Sequence, residues 1–263
     1  MVLPARHTPR RRFGQNFLND ARVVERIVAA IDPRPGQHIV EIGPGLGALT
    51  RDLLACTPVL HAVELDRDLC VRLRDAYPPD RLVVHEGDAL QFDFGSLPDP
   101  LRVIGNLPYN ISTPLLFYLS GFADRVTDMH FMLQREVVER MAATPGSAAY
   151  GRLSVMLQFK FDVEYLFAVP ASAFRPVPKV ESALVRLIPL ADSARPVADD
   201  GMFSSVVVAA FSHRRKTLKN ALAGFVGAEE LSTLGIDPNL RPEMLGVAQF
   251  ATIANLLSRK GRG

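Results

Sequence analysis

The stretch His38-Ile39-Val40-Glu41-Ile42, running straight into Gly43-Pro44-Gly45-Leu46-Gly47, leaves little freedom in what this chain folds into. The first five residues read as a buried strand. The glycines behind them let the backbone turn sharply and approach a ligand with no Cβ in the way. Residues 48–55 are helical in pattern, so the loop leads to a helix N-terminus whose open N–H groups suit an anion or carboxylate. Strands alternating with helices in this way build a parallel sheet covered by helices. Taken alone, the turn also satisfies a looser dinucleotide fingerprint through Gly43, Gly45 and Ala48, or is a glycine-rich turn that binds nothing.

The strand ends that follow narrow the choice. The run over 59–63 leads into Glu64-Leu65-Asp66, and an acid roughly 20 residues beyond the first glycine is placed to accept from both hydroxyls of a ribose. Asp66 then caps a helix over 67–76. A third strand over 82–85 leads to Gly87-Asp88-Ala89, whose carboxylate suits an adenine amine. A fourth, over 101–104, delivers Asn106-Leu107-Pro108-Tyr109. Ligands of open α/β sheets bind at this edge. The tetrapeptide is read either as a strand end with a turn or as a receptor for a flat ring bearing an amine. In the second reading the Asn carbonyl and a backbone carbonyl beside the proline accept the amine hydrogens, and the Tyr face stacks on the ring.

Around this core, residues 20–31 pattern as a helix capped by Asn19 or Asp20, with Val23, Val24, Ile27, Val28 and Ile31 on one face. Ahead of it lie Arg6, Arg10, Arg11 and Arg12 with no acid before Asp20, either a solvated tail or a phosphate-contacting arm. The segment Phe13-Gly14-Gln15-Asn16-Phe17-Leu18 is too apolar for a tail and is expected to dock. Further along, a helix over 114–119, a strand over 129–133, helices over 134–143 and 153–159, and a hairpin-like pair over 163–169 and 183–188 complete the sheet domain. Residues 191–196 read as a linker, and 202–211, 218–225 and 250–257 as helices. His213, Arg214, Arg215, Lys216 and Lys219 concentrate positive charge there, as Arg259, Lys260 and Arg262 do at the end, so a surface for RNA phosphates is expected.

The net charge of +2 over 263 residues says little about partners, and two cysteines, Cys56 and Cys70, make neither a disulfide framework nor a zinc site. No bound metal is expected. The basic start lacks an apolar run behind it, so no signal peptide is expected. Residues 103–123 carry no charge, but Asn106, Pro108, Asn110, Ser112, Thr113 and Pro114 argue against a spanning helix. A soluble, cytoplasmic monomer is the expectation.

Glu-Ile-Gly-Pro-Gly-Leu-Gly-Ala-Leu-Thr from Glu41, the acid Glu64, Gly-Asp-Ala from Gly87 and Asn-Leu-Pro-Tyr-Asn-Ile-Ser-Thr-Pro-Leu-Leu-Phe from Asn106 together resemble S-adenosylmethionine-dependent adenine methyltransferases. With Phe-Gly-Gln-Asn-Phe-Leu from Phe13, Phe-Arg-Pro-Val-Pro-Lys-Val-Glu-Ser from Phe174 and Arg-Arg-Lys-Thr-Leu from Arg214, the match is closer to the small-subunit ribosomal RNA adenine dimethyltransferase family. Its bacterial members modify two adjacent adenosines near the end of 16S rRNA. The resemblance implies a Rossmann-like methyltransferase domain with a basic arm over 1–192 and a helical RNA-binding domain over 193–263. It implies S-adenosylmethionine held by Asn16, Leu18, Gly43, Glu64, Asp88 and Asn106, where Asn16 replaces the His of many relatives. It implies a target base received by Asn106, Leu107, Pro108 and Tyr109, with Phe174 opposite Tyr109, and RNA contacts from Arg10, Arg11, Arg12, Arg214, Arg215 and Lys216. The expected partner is 16S rRNA within the small ribosomal subunit or its precursor, and the expected product dimethyladenosine. The alternatives are a large-subunit rRNA or DNA adenine methyltransferase, or an assembly factor whose methylation is incidental.

Overall fold

The computed structural model describes residues 14–191, 197–213 and 215–260; Arg10, Arg11, Arg12 and Arg214 lie outside the described residues. Two compact units result. One holds the described residues up to Val138 together with Glu164–Pro189, the other Glu139–Val163 together with those from Leu190 onward.

The strands, in chain order, are β1 Phe17–Leu18, β2 His38–Ile42, β3 Leu60–Glu64, β4 Leu82–Glu86, β5 Leu101–Asn106, β6 Val126–Gln134, β7 Phe161–Val169, β8 Phe174–Arg175 and β9 Ser182–Pro189. Seven of them form one sheet in the order β4-β3-β2-β5-β6-β9-β7. β2 pairs in parallel with β3 on one side and β5 on the other, and β9 runs antiparallel to β6. The chain thus moves outward from β2 to β4, then crosses back to lay β5 against the free side of β2. That reversal opens a crevice beyond the carboxyl ends of β2 and β5, where ligands of doubly wound sheets bind. Parallel strands covered on both faces read as continuous apolar runs, and Ile39, Val40, Ile42, Leu60, Ala62, Val63, Val103 and Ile104 are all buried. The hairpin-like pair expected at the end of the sheet is β7 beside β9, with β9 the inner strand.

Among the helices of this unit, α1 (Ala21–Ile31) begins where the Asp20 carboxylate accepts from the N–H groups of Arg22 and Val23, and stops at Asp32, whose left-handed backbone ends the helix. It buries Val24, Ile27 and Ile31. α2 (Ala48–Cys56) and α3 (Arg67–Ala76) follow the first two sheet strands, and Asp66 caps α3 by accepting from the Asp68 N–H. One charge inside the apolar run of β5 is resolved by pairing. Arg102 is buried, and its guanidinium makes two bonds to Asp128 on β6 and donates further to the Ile31 and Asp32 carbonyls and to Gln37. A buried guanidinium is tolerated only with its donors used in this way. The segment expected to dock does so. β1 pairs antiparallel with β8, Leu18 opposite Phe174, so two motifs far apart in sequence form one small ribbon.

In the second unit, α6 (Arg152–Gln158), α7 (Asp200–Phe211), α8 (Leu218–Ala221), α9 (Ala228–Thr233) and α10 (Val247–Lys260) are helical, and α5 (Arg135–Met141) runs across the division. Its core joins Tyr150, Val155 and Phe159 to Phe203, Val206, Leu218, Phe250 and Ile253. Phe159 stacks on Phe203 with ring centroids 3.9 Å apart. This packing draws Glu139–Val163 into the helical unit, where a division after residue 192 had been expected. The helix expected over 218–225 is a single turn, and α9 was not anticipated from the sequence. No helix among the described residues is long and apolar enough to cross a membrane.

Candidate active site

A cleft opens at the carboxyl ends of β2, β3, β4 and β5, lined by Gly14 to Leu18, by the glycine loop and the start of α2, by Val63 to Leu65, by Gly87 to Ala89 and by Asn106 to Ile111. All four strand ends singled out in the sequence therefore meet in one place. Gly43, Gly45 and Gly47 have φ of 65°, 58° and 80°, the left-handed region that glycine adopts without strain. A Cβ on Gly45 would lie 3.0 Å from the Phe17 ring, so the amino-terminal segment packs directly on the loop. At the switch point itself, a Cβ on Gly105 would lie 2.7 Å from the Ile42 carbonyl oxygen. The N-cap of α2, Gly47, has no side chain to cap it, and Ala48 and Leu49 at its start line the cleft. Its first-turn N–H groups are thus available to an anionic group.

Glu64 is buried at the end of β3. One carboxylate oxygen accepts from the Gly45 N–H at 3.1 Å and the other from the Asp66 N–H at 2.9 Å. Burial raises its pKa, and the backbone donors pull in the opposite direction. A carboxylate has about four lone-pair positions, so these two bonds do not exhaust its capacity to accept. The buried Cys70 thiol donates to the Glu64 carbonyl at 3.4 Å, and burial pushes that thiol up to about 11. Asp88 is fixed by the Leu90 N–H at 2.9 Å, beyond β4. Beneath the loop lies Glu41, which accepts from the Thr50 hydroxyl at 2.6 Å; burial pushes its pKa up to about 7. The sequence reading did not give Glu41 or Gln15 a role. An acid inside an otherwise apolar strand was the available signal for Glu41. The Gln15 amide donates to Asp66 at 2.9 Å across 51 residues of chain.

Asn106 ends β5. Its Nδ2 donates to the Asn16 backbone carbonyl at 3.0 Å, which commits the amide nitrogen and leaves Oδ1 as an acceptor. That bond holds the amide in one orientation. The Leu107 N–H donates to the Met132 carbonyl at 3.2 Å, and the Pro108 carbonyl accepts from the Ile111 N–H at 3.2 Å. Tyr109 lies on the cleft with its hydroxyl 2.8 Å from the Ser182 hydroxyl. Asn16 lines the cleft through a segment held on three sides, by Asp66, Asn106 and β8. Leu18 borders the cleft and is buried.

Phe174 stands apart from its expected place opposite Tyr109. It is 0 % exposed and packs in the core with Leu18, Met132, Ala173 and Leu184. Pairing of β8 with β1 turns its side chain inward, and it is not among the residues lining the cleft. In the helical unit, His213, Arg215, Lys216 and Lys219 are all exposed, as phosphate-contacting side chains must be.

The family described as ribosomal RNA adenine dimethylase matches residues 6–259. Ribosomal RNA small subunit methyltransferase A of Thiobacillus denitrificans is 61% identical over 254 residues, covering 97% of this chain and 100% of that protein. The protein of the same name from Laribacter hongkongensis is 58% identical over 260 residues, covering 98% and 99%. Among solved structures, a dimethyladenosine transferase from Plasmodium falciparum superposes with a TM-score of 0.80 at 26% identity, covering 93% of this chain and 98% of that one. The 23S rRNA methyltransferase ErmE does so at 0.73 and 25%, covering 92% and 100%.

Proposed function

The chain belongs to the ribosomal RNA adenine dimethylase family, and from that premise we propose that it dimethylates the N6 amine of two adjacent adenosines near the 3′ end of small-subunit rRNA. The supporting observation is that Asn106, Glu64 and Asp88, each at or just beyond a strand's carboxyl end, line one cleft. The RNA is received within the small subunit or its precursor, in the cytoplasm.

The cofactor is S-adenosylmethionine, and the residues present fit it. Glu64 lines the cleft as an acceptor for the ribose hydroxyls, and Asp88 lines it as an acceptor for the adenine amine. The glycine loop brings backbone close where a Cβ would intrude, and the start of α2, with glycine at its N-cap, suits a carboxylate. Bound there, the cofactor supplies a methyl carbon on a sulfonium whose departure leaves a neutral thioether.

The chain's own work lies with the adenine amine, whose lone pair is delocalised into its ring. Asn106 Oδ1 and a backbone carbonyl accept the two N–H bonds, so that the lone pair points along the line of attack. The Pro108 carbonyl already accepts from Ile111, which favours the Leu107 carbonyl as the second acceptor. Both acceptors stabilise the positive charge that builds on nitrogen as the C–N bond forms. The proton is then shed to water, with no strong base required. Tyr109 stacks on the extruded base. Phe174 contributes by locking β8 onto β1 and the amino-terminal segment.

Labelled methyl transfer to undermethylated small subunits, naked small-subunit RNA, large-subunit RNA and DNA, run in parallel, tests the assignment. Dimethyladenosine in the small-subunit arm is expected. Monomethyladenosine as sole product would refute the dimethyl assignment, and a large-subunit preference would favour the reading suggested by the likeness to ErmE.

A further inference from the structure

We infer that Ser182 is a positioning residue for Tyr109 and that it sets the rate of the second methyl transfer relative to the first. Residues 179–181 are exposed, and Ser182 is the first buried side chain after them, with 0 % exposure. Its backbone lies opposite Gln134 in the β6–β9 ladder, at the same edge of the sheet where Asn106 lies opposite Met132. The Ser182 hydroxyl is therefore a fixed point beside the cleft. Tyr109, by contrast, sits on irregular backbone between β5 and α4 (Ser112–Leu119), its carbonyl accepting from the Ser112 hydroxyl at 3.1 Å. The 2.8 Å bond between the two hydroxyls tethers the far end of the ring. A ring held at Cα and at its hydroxyl neither tilts nor swings without breaking that bond.

The consequence differs between the two transfers, and it rests on the base-receptor reading above. Before the first transfer the amine has two N–H bonds for Asn106 Oδ1 and the Leu107 carbonyl, and stacking adds to an alignment already defined. After it, one N–H remains. The orientation of the nitrogen then depends more heavily on the plane against which the base stacks. Loosening the ring accordingly impairs the second transfer more than the first.

Ser182→Ala, Tyr109→Phe and the double variant are compared on unmethylated small ribosomal subunits with saturating S-adenosylmethionine, following monomethyl- and dimethyladenosine by mass spectrometry. Each single change is expected to slow the second transfer about tenfold, as loss of a hydrogen bond does, and the first by much less. The double variant is expected to be no worse than either single, because all three lack the same bond. Thermal unfolding is recorded alongside, and Tyr109→Phe, which deletes one oxygen and adds nothing, guards against a folding defect at Ser182. Equal slowing of both transfers, or multiplicative effects in the double variant, would overturn the inference and leave Ser182 a core residue. Tyr109→Ala separates the two levels. If it slows both transfers while the single changes leave the ratio untouched, only the role of Ser182 fails. If it transfers at full rate, the base-receptor reading itself fails, and the inference with it.

Discussion

Replacing Glu41 with Gln probes the least comfortable group in the site. Glu41 is 2 % exposed and bonded to the Thr50 hydroxyl. Desolvation raises its pKa from the ordinary 4.5 to about 7, the Thr50 bond opposes this, and the Glu64 charge adds to it. The folded protein therefore holds a proton at Glu41 that the unfolded chain releases. The stabilisation from that proton is fully present below pH 4.5 and is lost as the pH rises through about 7. At about 1.4 kcal/mol per pH unit, the rise from 4.5 to about 7 corresponds to roughly 3 kcal/mol. Glu41→Gln mimics the protonated acid, still accepts from Thr50 and does not titrate. The wild type should thus lose about 3 kcal/mol relative to the variant between pH 4.5 and 8. Urea unfolding of both proteins across that range gives the difference, in which the other titrating groups largely cancel, and a ¹³C carboxyl titration should show one Glu near pH 7 that the variant lacks. Parallel stability curves would refute the reasoning and mean that water reaches the carboxylate.

Glu64→Ala should weaken S-adenosylmethionine binding by on the order of 1.5–3 kcal/mol, the value of a hydrogen bond to a charged group; unchanged affinity in calorimetric titration would remove Glu64 from the site. Changing Arg214, Arg215 and Lys216 to Glu should weaken RNA binding at every sequence and flatten its salt dependence while cofactor affinity survives. An unaltered salt slope would return the cluster to the solvated surface. Gly105→Ala pushes a methyl group to within 2.7 Å of the Ile42 carbonyl and 2.8 Å of Leu107. It should destabilise the sheet unit by roughly 1–3 kcal/mol and lower cofactor affinity, whereas an unchanged denaturation midpoint would show that β2 and β5 have room to part.

Much of this protein was determined locally and could be read from the chain. The glycine loop after His38–Ile42 requires left-handed backbone that glycine supplies, and apolar runs long enough to be covered on both faces mark parallel strands. The acids and the Asn sit immediately after such strands, so the sheet edge that collects them follows from the strand periodicity. Asp20 and Asp66 cap their helices through residues two or three positions away, which is why those boundaries were legible. What only the tertiary structure decided are pairings across long stretches of chain. Phe174 reads as an exposed stacking ring until β8 pairs with β1 and turns it into the core. The Asn106 amide takes its orientation from the Asn16 carbonyl, 90 residues away. Tyr109 and Ser182 meet across 73 residues, and Glu139–Val163 follows its apolar side chains into the helical unit. Such contacts depend on sheet order and burial, and no local propensity or spacing encodes either.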